Sequence, residues 1–261
     1  MPRFERRPAS VAALTHLVLA LARPAFADGV PGCPAVFEDA TAVATFYDAD
    51  GTGHCGYDVA PDRMVVAVSS VDWAGSAHCG RCLQVWGPEG MVVVRVVDSC
   101  PTCGADHIDL SAEAFDLVAD PQQGVVPVAY RSIACPVAGP IAVKQKEGSN
   151  PWWLALQPRN HRHAIAAVEV REDGAANWQT TARQDYNYFL IESGAPAGLD
   201  PPLDVRITDV HGKVVVENDL IPTIVAGATR QGTAQLGRCA GIFVDGFESA
   251  SLAPWWSEAA P

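Results

Sequence analysis

The sequence predicts a mostly β protein built as two successive units, a closed or nearly closed β-barrel and then an Ig-like β-sandwich. Three observations carry this. Short apolar runs rich in β-branched residues recur along the chain, separated by Gly, Pro, Asn and Asp. One clear helical pattern breaks the first half, after Ser111, and none of useful length occurs in the second. Between the halves, Pro136-Val137-Ala138-Gly139-Pro140 reads as a short, stiff linker. The expected divisions are residues 1–27, 28–137, 138–237 and 238–261.

Taken in order, residues 1–27 have the form of an export signal. Arg3, Arg6 and Arg7 precede an apolar stretch over residues 11–22, and Ala25-Phe26-Ala27 fits a small-residue cleavage site. Arg23 and Pro24 keep the apolar run too short to span a bilayer. Residues 28–42 read as a loose entry segment. Strands follow at residues 44–48, 64–70, 83–85 and 92–97, with a turn-rich stretch through Gly51 and Gly53 after the first. Ser111 suits an N-cap for a helix over residues 112–118, and residues 125–133 make a further strand. Trp73 and Trp86 lie in this half without an assigned role. Past the linker, about seven strand-like runs stand at 141–146, 152–157, 165–171, 178–181, 186–192, 203–208 and 213–217.

Composition limits what the protein acts on. Hydrophobic residues make up 49% and mean hydropathy is +0.09, ample for packed cores. Formal charge is −12; loss of residues 1–27 removes four Arg and one Glu and makes it −15. Such a surface repels nucleic acid and anionic membranes and disfavours polyanions, so a neutral polymer is the better partner.

Of eight cysteines, six lie between Cys55 and Cys135: Cys55, Cys79, Cys82, Cys100, Cys103 and Cys135. The spacing Cys79-x-x-Cys82 and Cys100-x-x-Cys103 suits a zinc ribbon. Export and the even set of six favour disulfides instead. Six cysteines permit fifteen pairings, and spacing does not choose among them. Cys33 and Cys239 lie outside both units and are candidates to pair with each other.

The densest chemistry lies in residues 94–115. A valine-rich strand runs into Asp98; Cys100-Pro101-Thr102-Cys103 follows, then His107-Ile108-Asp109-Leu110-Ser111. Two carboxylates thus flank a short, cysteine-bounded loop, a rigid mount for a site. Read blandly, Asp109 only caps the following helix. This order of elements resembles the expansin family. So do Ala44-Thr45-Phe46-Tyr47, Cys55-Gly56-Tyr57, Cys79-Gly80-Arg81-Cys82, residues 145–160 and Asp185-Tyr186-Asn187-Tyr188-Phe189. The resemblance implies a six-stranded double-psi barrel whose groove holds Thr45, Tyr47, Asp98 and Asp109. It implies a flat strip of Trp152, Trp153 and Tyr186, with Lys146 beside it, on the second unit. Planar rings suit the apolar faces of β-linked glucose. Neighbouring strand residues face opposite sides, so two adjacent tryptophans on one surface need a bulge or strand end, which Pro151 suits.

The implied activity is loosening of cellulose and other plant-wall polysaccharides outside the cell without net hydrolysis, by a monomer with no cofactor and no metal. Two enzymatic readings stand beside it. An inverting endoglucanase needs a second carboxylate about 6.5–9.5 Å from the acid Asp109. In register that base falls at Ala49, between Asp48 and Asp50, which otherwise read as a turn. A lytic transglycosylase on peptidoglycan needs only one Asp. A purely binding module is the remaining reading. Residues 238–261, with Trp255-Trp256, read as an export or surface-sorting tail, an extra aromatic contact, or a disordered end.

Overall fold

The computed structural model describes residues 38–194 and 197–238. The export signal, the Cys33–Cys239 pairing and Trp255-Trp256 lie outside the described residues.

Six strands close a barrel: β1 (Glu38–Tyr47), β2 (Val65–Ser69), β3 (Cys82–Trp86), β4 (Met91–Cys100), β5 (His107–Ser111) and β6 (Val126–Ile133), in spatial order β1-β5-β2-β4-β3-β6. The β1–β5 and β2–β4 pairs are parallel and the others antiparallel. Alternation drives the closure. Ala42, Ala44, Val66, Val68, Val92, Val94, Val96, Ile108 and Leu110 turn inward into one buried cluster. Two short helices, α1 (Ser70–Trp73) and α2 (Ala112–Phe115), add Trp73 and Phe115 to the same buried cluster. Ser69 and Ser111 cap them by accepting the N–H groups of Asp72 and Ala114.

Two sequence expectations change here. Residues 38–42 are strand, not loose entry, because β1 extends back to pair with β6 through an irregularity between Asp39 and Ala42. The helix proper ends at Phe115, and only turn hydrogen bonds carry it on to Ala119.

The second unit packs two sheets face to face. One orders β10 (Gln179–Thr180), β9 (Ile165–Glu172), β13 (Leu203–Asp209) and β14 (Val214–Ile221). The other orders β11 (Ala182–Arg183), β12 (Phe189–Glu192), β8 (Trp153–Arg159), β7 (Ala142–Gln145) and β15 (Thr229–Gln231). Between them lie Val143, Leu154, Leu156, Val170, Phe189, Leu203, Val205, Ile207 and Ile221. Nine strands replace the expected seven. The run at 178–181 keeps only β10, with β11 following it on the other sheet, and β15 is too polar to register as a strand by pattern.

The units meet through polar contacts. The Cys55 carbonyl accepts from Gln157 (2.8 Å) and Asn187 (3.1 Å), and Tyr57 Oη lies 3.1 Å from His161 Nε2. Trp73 Nε1 donates to Asp185 Oδ1 at 2.8 Å, and Arg159 pairs with Asp58. Gly80 lets the faces approach; a Cβ there would sit 2.4 Å from both Tyr57 Oη and His161 Cε1.

Candidate functional site

Cross-strand register gathers the first half of the site. Thr45 on β1 faces Asp109 on β5; Asp109 faces Ala67 on β2; Ala67 faces Asp98 on β4. All four therefore lie in one row across the outer wall, with a methyl group between the two carboxylates. The shift between Val66 and Ala67 is what brings Asp98 into that row, because Val66 still faces Val96.

Each polar member is held. Thr45 Oγ1 donates to Asp109 Oδ1 at 2.5 Å and lies 2.9 Å from His107 Nε2. Asp98 Oδ1 accepts the main-chain N–H groups of His54 (2.7 Å) and Ser99 (2.8 Å). Tyr47 has a buried hydroxyl with no hydrogen-bond partner. Its pKa is raised by burial first and then by the charges of Asp98, Asp109 and Asp50. The phenol thus keeps its proton and offers an unused donor among carboxylates.

The cysteines pair as Cys55–Cys79, Cys82–Cys135 and Cys100–Cys103. This overturns the zinc ribbon, since Cys79 and Cys82 are bonded to separate partners. The Cys100 and Cys103 sulfurs lie within 4.8 Å of an Asp109 oxygen, the single potential metal-donor cluster among the described residues. With the sulfurs bonded to each other, the set presents one carboxylate, short of the three or four donors a protein metal site needs.

Neither flanking acid joins the row. Asp48 is almost wholly exposed and pairs with Arg63 at 3.2 Å. Asp50 Oδ1 accepts from Thr52 N (2.9 Å) and Oγ1 (2.6 Å), which hold its pKa down. Ala49 between them is buried with Val65 and Val97.

The second half lies on the outer face of the β7–β8–β12 sheet. Asn150 Oδ1 accepts the N–H groups of Trp152 (2.9 Å) and Trp153 (3.1 Å) in a turn that ends as β8 begins. Trp152 is half exposed on that turn. Lys146 Nζ lies over Tyr186 (5.7 Å) and Tyr188 (5.5 Å). Lys146, Trp153, Tyr186 and Tyr188 line an open hollow of about 700 Å³ whose other wall is Gly53 and His54 of the barrel. Sequence reasoning gave Tyr188, His54 and Trp73 no role. Tyr188 lies inside a matched motif, whereas His54 and Trp73 lie outside all of them and carried no signal.

Comparison with known proteins gives the family. A family model described as lytic transglycolase matches residues 39–130. Expansin-YoaJ of Bacillus subtilis is 32% identical over 188 residues, 69% of this chain and 78% of that protein. The expansin of Clavibacter michiganensis is 34% identical, over 75% of this chain and 96% of that one. Its apo structure superposes with a TM-score of 0.67, and an aspartate-to-asparagine mutant in complex with cellohexaose with 0.68. With a double-psi β-barrel, a β-sandwich behind it and this likeness running across both, the chain belongs to the bacterial expansin family.

Proposed function

We propose that this protein is an exported, monomeric expansin that binds cellulose and related neutral wall polysaccharides and loosens them without net hydrolysis. Residues 1–27 serve as the export signal, 28–137 as the loosening barrel, 138–237 as the binding sandwich and 238–261 as a tail. Thr45, Tyr47, Asp98 and Asp109 form the groove; Trp152, Trp153, Tyr186 and Lys146 form the binding strip.

One observation carries the reading. Beside the Thr45–Asp109–Ala67–Asp98 row, the position that the family resemblance gives to a hydrolase's base is Ala49, buried against Val65 and Val97. Asp109, only partly buried, then competes for glucan hydroxyls and disturbs contacts between chains. The complex of the Clavibacter expansin with cellohexaose supports a β-glucan as the ligand class. Asp109→Asn is expected to abolish creep of wall strips and keep cellulose pull-down. Trp152→Ala with Trp153→Ala is expected to lose pull-down, at about 1–3 kcal/mol by analogy with other aromatic stacking. Steady release of reducing sugar, lost in Asp48→Asn or Asp50→Asn, overturns the reading in favour of an endoglucanase.

The match of residues 39–130 to the lytic transglycolase family favours a second reading, single-Asp cleavage of peptidoglycan. Muropeptide release from purified sacculi by the wild type, absent in Asp109→Asn, would establish it.

A further inference from the structure

Between the aspartate row and the aromatic strip lies the domain junction, and one histidine is fastened there from every side. The His54 main-chain N–H holds Asp98, and its Nδ1 lies 3.1 Å from Ser99 Oγ. Its ring stacks on Trp73 with centroids 4.7 Å apart and planes 12° from parallel. Its Nε2 is 3.6 Å from Asp185 Oδ2 across the junction, and Trp73 Nε1 donates to the other oxygen of the same carboxylate. Trp73 is 7% exposed, whereas the His54 side chain is 44% exposed. One imidazole face is therefore covered, and the other lines the hollow shared with Trp153, Tyr186 and Tyr188.

We propose that His54, held flat by Trp73 and Asp185, is a sugar-stacking platform: a subsite that seats one glucose unit as a glucan passes from strip to groove. This rests on the reading under Proposed function. A ring fixed by a stack and two polar contacts loses little freedom when a sugar covers it. Gly53 and Gly56, which line the same hollow, leave its floor open. The charges there select against an acidic sugar. Lys144 is paired with Asp58 and Glu147, Lys146 lies on tyrosine rings, and Asp98 and Asp185 flank the histidine. A neutral hexose, with apolar faces and hydroxyl edges, fits this lining.

The test is calorimetric titration with cellotriose and cellohexaose. Wild-type affinity is expected to rise with chain length. His54→Ala and His54→Gln, which remove the planar face, should lose about tenfold on cellohexaose and less than twofold on cellotriose. His54→Phe, which keeps a ring on Trp73, should stay within about twofold of wild type on both. Thermal melts certify that each variant is folded. Equal cellohexaose affinity in wild type and His54→Gln overturns the subsite alone. So does a His54→Phe protein as weak as His54→Ala, because the polar contacts and not the face would then carry the effect. A wild type that fails to bind cellohexaose overturns the subsite and the underlying reading together.

Discussion

Gly53→Ala is the sharpest test of how the groove is held. Gly53 does not need glycine's conformational freedom, since it is absent from the positive-φ glycines. It needs space. A Cβ there would sit 2.6 Å from Asp98 Cγ, 2.7 Å from Asp98 Cβ and 2.8 Å from the Val97 carbonyl oxygen. The last is backbone, so no rotamer change relieves it. The Val97 carbonyl also accepts Cys55 N–H, and Cys55 is bonded to Cys79, so the loop resists moving away. Overpacking of this kind costs about 1–3 kcal/mol. Displacing Asp98 also strains its charged bond from His54 N–H, a class worth about 1.5–3 kcal/mol. Taken together and not fully additive, these give about 2–4 kcal/mol, a fall in Tm of roughly 5–15 °C. Creep activity should fall at least tenfold as Asp98 leaves the row, while the loss of cellulose pull-down stays smaller than in Trp152→Ala with Trp153→Ala, because Gly53 borders the hollow but contributes no ring to the strip. Gly104→Ala is the control, since a Cβ there meets nothing within 4 Å. A Gly53→Ala protein with wild-type Tm and wild-type creep would refute the packing of Asp98 against this turn.

Other outcomes follow from the same geometry. Loss of Cys82–Cys135, whose partners are 53 residues apart, should cost roughly 4 kcal/mol in denaturant melts, and loss of Cys55–Cys79, 24 apart, roughly 3 kcal/mol. The Cys100–Cys103 bridge closes a loop of only 3, so Cys100→Ser with Cys103→Ser should cost under about 2 kcal/mol, yet reduce creep by releasing the wall beside Asp109. His161 is buried and neutral, its pKa lowered to about 3 by burial first and by Arg95 next. The unfolded chain then binds the proton that the folded one refuses, so this contribution is whole above about pH 6.5 and declines as pH falls toward 3, by on the order of 1.4 kcal/mol per unit. Urea melts of His161→Gln should show a shallower loss of stability between pH 7 and 5 than wild type; parallel curves would count against it.

The barrel was largely legible because its strands alternate. Val92, Val94 and Val96 point inward while Val93 and Arg95 do not, and such a pattern is local. The row itself was not legible from local pattern. Thr45 and Asp109 are 64 residues apart, and only the β1–β5 register sets one beside the other. Asp98 enters through a one-residue shift that no composition or period announces. The disulfide pairing depends on the same long-range placement. Trp73 stayed unassigned because its partners, His54 and Asp185, come from a barrel loop and the other domain. The short strand β15 pairs with β7 through its main chain, which side-chain pattern does not reveal.

Whether a barrel of this kind cuts or only loosens turns on what occupies the position opposite the acid, and packing bears on that more than residue count does. The chain is not short of carboxylates there; Asp48 and Asp50 flank the position. Asp48 points to solvent and is paired with Arg63, which also pairs with Glu113. Asp50 spends one oxygen on closing its own turn with Thr52. The position between them is buried against Val65 and Val97, with Tyr47, Tyr57 and Ala60 packed around it. A carboxylate placed there would be desolvated among apolar groups, its pKa driven up, and it would serve poorly as a base. A base at this position would therefore require re-forming the β1 exit loop, and a single Ala49→Asp substitution is expected to release no reducing sugar beyond the wild-type level. In the meantime Tyr47 remains protonated beside Asp98 and Asp109. On the reading proposed above, the carboxylates of Asp98 and Asp109, each fixed by its own hydrogen bonds, are the acceptors that exchange hydrogen bonds with a glucan as its chains separate.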